Sequence, residues 1–313
     1  MKKLGDLVYY IGFALIYLFS MLPLSILYVF SDLCYVLVYH VAGYRKSVIR
    51  RNLLNSFPDK TKRELKDIEK DFFHWFCDYV FETIKLTSMS EQEMRKRLRF
   101  EGLDMVRKAA GEGRSSSVYL GHYCNWEWVS SLGIHLPEYV CGQIYHELEN
   151  KYVNRYFLKI RGRFKAQSVV MEETLQTIRE WHKEGKISVV GYISDQVPGF
   201  SSMHYWPTFL NQQTPTYTGT ERIAKIFDTA VFYMDIIRPR RGYYVVRLIK
   251  MSDGAKSEPL FSLTERYYRL LEQSIQRNPP YWLWSHNRWK RKWEDFVEYF
   301  PDPNERKRIL SKL

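Results

Sequence analysis

"SVYLGHYCNWEW", residues 117–128, runs from a short apolar stretch into a glycine and a histidine, and its reading decides the fold. Val118, Tyr119 and Leu120 have the character of a buried strand, Gly121 turns the chain, and Asn125 is a residue type that opens helices. A strand, turn and helix in that order belong to α/β architectures, whose binding crevices lie where strands end. The same alternation continues downstream. "MEETLQTIREWHKEG" (171–185) reads as a helix ending at Gly185, and "ISVVGYI" (187–193) as a buried strand. "TGTERIAKIFDT" (218–229) reads as a helix, and "AVFYMDII" (230–237) and "GYYVVRLIKM" (242–251) as strands. "LTERYYRLLEQSIQRN" (263–278) is a helix stopped by Pro279-Pro280. Upstream, residues 61–87 form a helix: Thr61 with Glu64 has the capping-box pattern, and Leu65, Ile68, Phe72, Trp75, Phe76, Tyr79 and Val80 make its core-facing stripe. The expected fold is α/β, a single mainly parallel sheet flanked by helices.

The chain of 313 residues carries 47 Lys+Arg against 35 Asp+Glu, a formal charge of +12. That excess suits nucleic acid, an anionic membrane surface or a phosphorylated substrate without choosing among them. Four cysteines, Cys34, Cys77, Cys124 and Cys141, show no paired spacing, which fits free thiols in a reducing compartment.

Residues 7–31 are uncharged and long enough to cross a hydrocarbon core. No small-residue cleavage site follows them, which argues against a signal peptide. Pro23 is expected to kink the segment. A second apolar piece at 33–44 leads into Arg45, Lys46, Arg50 and Arg51. A single span with this basic flank, or a hairpin with both flanks on one side, leaves the large domain facing the cytoplasm. The expected division is a membrane-anchoring segment of one helix or a hairpin, 1–44, and a cytoplasm-facing domain, 45–313.

Three chemistries are open in the first stretch. His122 and Glu127 would lie about 140° apart on one regular helix. They meet only if His122 precedes the helix on a turn and Glu127 lies in its first turn. A carboxylate on one imidazole nitrogen would then leave the other as a base. Cys124 is a rival nucleophile, although nothing in the sequence activates it. A metal site from His122, Cys124, His135, Cys141 and His146 matches no standard zinc spacing.

"GHYCNWE" resembles the Gly-His-x-x-Asn-Trp-Glu block of the bacterial lipid A biosynthesis late acyltransferases, members of the wider glycerolipid acyltransferase group. The resemblance extends through "RRNLLNSFPDKTKRE" (50–64), "FETIKL" (81–86), "NKYVNRYFLKIRGRF" (150–164), "SDQVPG" (194–199), "WPTFLNQQTPTYTGTERIAK" (206–225) and "PPYWLWSHNRWK" (279–290). Cys124 departs from it, standing where the family often has Gly.

The resemblance implies a glycerolipid acyltransferase-like fold and transfer of a fatty acyl chain from an acyl carrier protein thioester to a hydroxyl of a lipid A precursor. It implies the inner-membrane face as the location and the bilayer as a partner, with no metal or redox cofactor and no acyl-enzyme. His122 would act as general base with Glu127 orienting it, and Asn125 would organise the turn. Arg161 and Arg163 would bind acceptor phosphate or steady the developing oxyanion. Asp195 and Gln196 follow a buried strand, so they are expected on the same sheet edge as His122, positioning substrate. Thr216, with Thr218 and Thr220, precedes a helix and would cradle an anion or cap that helix. Arg288 stands in a Trp-rich block read first as packing near the bilayer and second as a site contributor. Another glycolipid or a lysophospholipid acceptor with acyl-CoA as donor stays open. A basic nucleic-acid-binding protein stays open as well, though no binding module supports it and the apolar segment stays unexplained. Nucleic acid is accordingly not an expected partner.

Overall fold

A computed structural model describes residues 2–312. The chain begins with apolar helices α1 (Lys2–Ser20) and α2 (Leu24–Tyr35), and a π-helical stretch, Val36–Ala42, prolongs α2. Pro23 stands at the N-cap of α2 and, lacking an N–H, separates the two helices. Leu24–Ala42 is long and apolar enough to cross a membrane. One face of α2 lies on the body of the protein. Leu24 and Leu27 are buried in the main core, Tyr28 donates to Glu82 Oε1 at 2.7 Å, and Ser31 donates to Asp78 Oδ1 at 2.7 Å. The opposite face, with Ile26, Val29, Phe30 and Leu33, is exposed, as are Leu7, Ile11, Leu15 and Leu18 of α1. So large an uncovered apolar surface marks an interaction or membrane interface.

Next come α3 (Lys46–Ser56) and α4 (Lys62–Lys85). Thr61 caps α4 as expected: its hydroxyl accepts from the Glu64 amide at 3.3 Å, while Glu64 accepts from the Thr61 amide at 2.7 Å. The α/β body then follows as α5 (Glu91–Arg97), β1 (Leu98–Glu101), α6 (Leu103–Gly111), β2 (Ser116–Leu120), α7 (Leu132–His135), β3 (Val140–Tyr145), α8 (Lys151–Arg161), β4 (Gln167–Val170), α9 (Thr174–Lys183) and β5 (Ser188–Ile193). A small hairpin of β6 (Thr208–Phe209) and β7 (Gln212–Gln213) precedes α10 (Gly219–Ile226), β8 (Ala230–Arg240), β9 (Tyr243–Ser252), α11 (Ser262–Arg277), α12 (Trp293–Tyr299) and α13 (Pro303–Leu310).

The seven-stranded sheet has the order β1-β9-β8-β2-β5-β3-β4. Its neighbours are parallel except β8 and β9, which turn back on each other at Gly242. The mainly parallel sheet flanked by helices is therefore the fold observed. β2 is buried at every position between β5 and β8, as a central parallel strand must be when helices cover both faces. β2 and β5 also end level, with Leu120 opposite Ile193. This register brings the two turns that follow, at His122 and at Asp195, side by side.

One element differs from expectation. No regular helix begins at Asn125. The chain passes through a turn into a 3₁₀ stretch, Trp128–Ser131, and then the single turn of α7. Side-chain bonds reinforce the short 3₁₀ ladder of this segment: Asn125 Oδ1 accepts from the Trp128 amide at 3.1 Å, and Asn125 Nδ2 donates to Glu82 at 2.6 Å.

Candidate active site

His122 sits on the turn after β2, with its side chain 17% exposed. Its Nδ1 lies 2.6 Å from Asp195 Oδ1, and its backbone amide donates to Asp195 Oδ2 at 2.8 Å. The Trp282 indole donates to the same Oδ2 at 2.7 Å. Burial alone would raise the Asp195 carboxyl. The charge of His122 and these three hydrogen bonds outweigh it and hold the group at about 2. An ionised Asp195 on Nδ1 selects the tautomer with its proton there and leaves Nε2 as the free lone pair. Gln196 Nε2 stands 3.2 Å from Nε2 and is placed to donate to it. The imidazole also meets the edge of Trp126 at 5.0 Å between ring centres, and Trp126 in turn stacks on Tyr79 at 4.2 Å.

Local sequence dictates much of this arrangement. Gly121 lets the turn pass close to α11: a Cβ there would come within 2.6 Å of Leu271 and 3.2 Å of the Asp195 carboxylate. α11 and the segment after it clamp the turn from the other side. Cys124 N donates to Tyr281 O at 2.8 Å, Leu283 N to His122 O at 3.1 Å, and Tyr123 hydroxyl to Ser274 O at 2.8 Å.

The expected pairing of His122 with Glu127 is not the one formed. The buried Glu127 carboxylate receives both arms of Arg161, Nε at 2.7 Å and Nη2 at 2.6 Å. Strand register explains the difference: Asp195 reaches His122 from the level end of β5, while Glu127 meets Arg161 at the end of α8. Arg161 is correspondingly engaged by Glu127, and the exposed Arg163 donates through Nη2 to Met89 O at 2.9 Å. Asn125 does organise the turn, in the bonds given above. The Thr216 hydroxyl donates to Tyr205 O at 2.9 Å, and Thr220 is bonded to Ser194 at 3.0 Å, so both serve the loops framing the site.

Arg288 is fully buried. Its Nη2 donates to Pro215 O at 2.6 Å and to Tyr268 Oη at 3.2 Å, while Nε and Nη1 have no partner among the described residues. The Tyr268 hydroxyl donates to Ser194 O, so Arg288 backs the Asp195 turn from behind. Cys124 is buried at φ 53°, and burial pushes its thiol well above the usual range, away from the nucleophilic thiolate.

Two supporting residues escaped the sequence reading. Glu82, fully buried on α4, accepts from Asn125, from the Tyr244 hydroxyl at 2.7 Å and from Tyr28, and its backbone carbonyl accepts from the Trp128 indole at 3.1 Å. Its signal was an acid on the apolar face of a helix, which is retained only where donors meet it. Trp282 had no comparable signal, because its bond to Asp195 joins positions 87 apart in the chain.

Residues 1–291 match the family model described as bacterial lipid A biosynthesis acyltransferase. The chain is 22% identical over 283 residues to a lipid A biosynthesis palmitoleoyltransferase of Escherichia coli K12, covering 89% of this chain and 90% of that protein. A lipid A biosynthesis acyltransferase of Shigella flexneri matches at the same identity and coverage. With the family model spanning nearly all of the fold just described, the chain belongs to the bacterial lipid A biosynthesis acyltransferase family and is an acyltransferase enzyme.

Proposed function

We propose that this protein moves a fatty acyl chain from an acyl carrier protein thioester to a hydroxyl of a phosphorylated lipid A precursor, at the cytoplasmic face of the inner membrane. The single observation that carries this reading is the His122–Asp195 pair at the level ends of β2 and β5, which presents Nε2 as a base. Family membership supports lipid A as the acceptor, and the exposed apolar face of α1 and α2 supports a site at the bilayer. The +12 charge favours both an acidic carrier protein and a phosphorylated lipid.

In this mechanism the acceptor hydroxyl takes the place of Gln196 at Nε2. The imidazole removes its proton as the oxygen attacks the thioester carbonyl. The tetrahedral intermediate collapses with cleavage of the C–S bond, and the imidazolium returns the proton to the departing thiolate. The products are an ester and a free thiol, with no acyl-enzyme and no cofactor beyond the thioester. Asp195 holds the tautomer and stabilises the imidazolium. Glu127 with Arg161 braces the turn against α8, and Gln196, once displaced, is free to hold the acceptor.

The test is mass spectrometry of lipids from cells lacking the gene, complemented with wild type, His122→Ala or Asp195→Asn. One glycolipid should lose a single acyl chain, and only wild type should restore it. Full rescue by His122→Ala would sink the mechanism. Parallel assays with acyl carrier protein and coenzyme A thioesters decide the donor.

A further inference from the structure

Beside the site lies a cleft of about 550 Å³ that the chemistry above does not use. Its walls come from three distant parts of the chain: α3, β7, and the segment joining α11 to α12 with the first residues of α12. Four cations line it, Arg51, Lys290, Arg291 and Lys292, against one carboxylate, Glu294. Side-chain amides from Asn55, Gln212, Gln213 and Asn287 and the rings of Trp289 and Trp293 complete it.

The cleft is built and held in shape. Arg51 Nη2 donates to Asn287 Oδ1 at 2.9 Å, and Asn55 Nδ2 donates to Gln212 Oε1 at 3.3 Å. Asn52, buried behind them, donates to the carbonyls of Trp284 and His286, each at 2.9 Å. The same segment reaches the loop beside the reacting group: His286 Nε2 accepts from the Val197 amide at 3.4 Å, and Val197 follows Gln196, whose side chain meets His122.

Each wall component answers a different part of one ligand. Cations recognise phosphate by charge-assisted bonds. Amides carry donor and acceptor together, as sugar hydroxyls require. Indole faces offer a flat apolar surface to the C–H face of a sugar ring. The position fits a lipid as well. α3 starts at Lys46, four positions after Ala42 ends the apolar helix, and its cleft residues Arg51 and Asn55 lie within that next helix along the chain. A concave, amide-rich cleft suits a saccharide better than the convex surface of a folded protein.

We infer that this cleft binds the phosphorylated saccharide head of the acceptor lipid, holding it while its hydroxyl reaches His122. The inference rests on the proposed acyl transfer and adds to it the site that selects the acceptor.

The test uses the full chain in detergent micelles, with a phosphorylated lipid A precursor as acceptor and an acyl carrier protein thioester as donor. Lys290→Gln and Arg51→Gln should each raise the acceptor KM about tenfold while kcat and the donor KM hold, the loss of one charge-assisted bond. Lys183→Gln on α9, an equal charge change outside the cleft, should alter neither KM. A deacylated phosphorylated glucosamine disaccharide should quench tryptophan fluorescence in wild type, and Lys290→Gln should weaken that binding in proportion. Because Lys290 is exposed, an unchanged melting temperature will separate lost binding from lost folding. An unchanged acceptor KM overturns the inference, as does a rise in the donor KM, which would make the cleft a carrier-protein dock. Quenching by inorganic phosphate as strong as by the disaccharide also overturns it, leaving a simple anion site. Disaccharide binding without any acyl transfer by wild type would instead count against the proposed reaction and leave the cleft standing.

Discussion

At the scale of single residues, the site depends on which carboxylate holds His122. Asp195, kept at about 2, stays ionised through the neutral range, so it secures the imidazole tautomer wherever the enzyme works. Asp195→Asn should therefore cut kcat by about 10² or more, as losing the tautomer-setting carboxylate does in comparable pairs, with the acceptor KM little changed. His122→Ala should lose about 10²–10⁴ of the rate, the usual share of a general base. Steady-state kinetics on both variants check these figures. Cys124→Gly should keep full activity. It should change the melting temperature little, because glycine's ease at φ 53° offsets the small void left by the buried thiol. Gly121→Ala should do the reverse, since its Cβ would collide with Leu271 beside Asp195.

At the scale of elements, the level ends of β2 and β5 bring His122 and Asp195 together, and α4 and α8 hold the turn that follows. Arg161 on α8 and the buried Glu127 form a two-armed pair, so removing one partner strands a buried charge. Arg161→Met should lower unfolding free energy by about 3 kcal/mol, and Glu127→Gln in the same chain should recover most of it. Denaturant titration of the single and double variants measures this. A stability loss that the double variant does not recover would mean the pair is not the brace. α9, β5, α10, β8, β9 and α11 were legible in the sequence, because buried strands are continuous apolar runs and the helices keep their 3.6-residue period. β3 and β4 were not. At the sheet margin Gln143, Gln167 and Ser168 interrupt the apolar pattern, and propensity alone does not resolve such strands.

At the scale of the molecule, pH and the N-terminal segment are the two handles. Burial, followed by Arg288, lowers His286 to about 4, and burial, followed by Arg95, lowers His135 to about 4, both from an ordinary 6.5. Each is neutral in the folded state. Their contribution to stability is full above about pH 6.5 and lost as pH falls toward 4, whereas Asp195 contributes a loss only below its ordinary 3.8. Thermal melts between pH 7 and 4.5 should fall steadily, and His286→Gln should flatten part of that slope. Deleting residues 1–44 should lower the melting temperature as well as membrane binding. It removes Leu24 and Leu27 from the core and the Tyr28 and Ser31 bonds to Glu82 and Asp78. Flotation with anionic vesicles beside a thermal melt reads both effects.

By itself the sequence determined the α/β class, the apolar N-terminus, the capped α4, the place of His122 on a strand-end turn and the family. All of these are local patterns or ordered blocks, written in neighbouring residues. Only the tertiary structure decided that Asp195, and not Glu127, meets the imidazole. It also decided that Arg161 is spent on Glu127, that Glu82 and Trp282 hold the site, and that α3, β7 and the 287–294 segment enclose one cleft. The physical reason is register. Strand pairing brings together residues 73 positions apart at 2.6 Å, and no spacing along the chain encodes that distance.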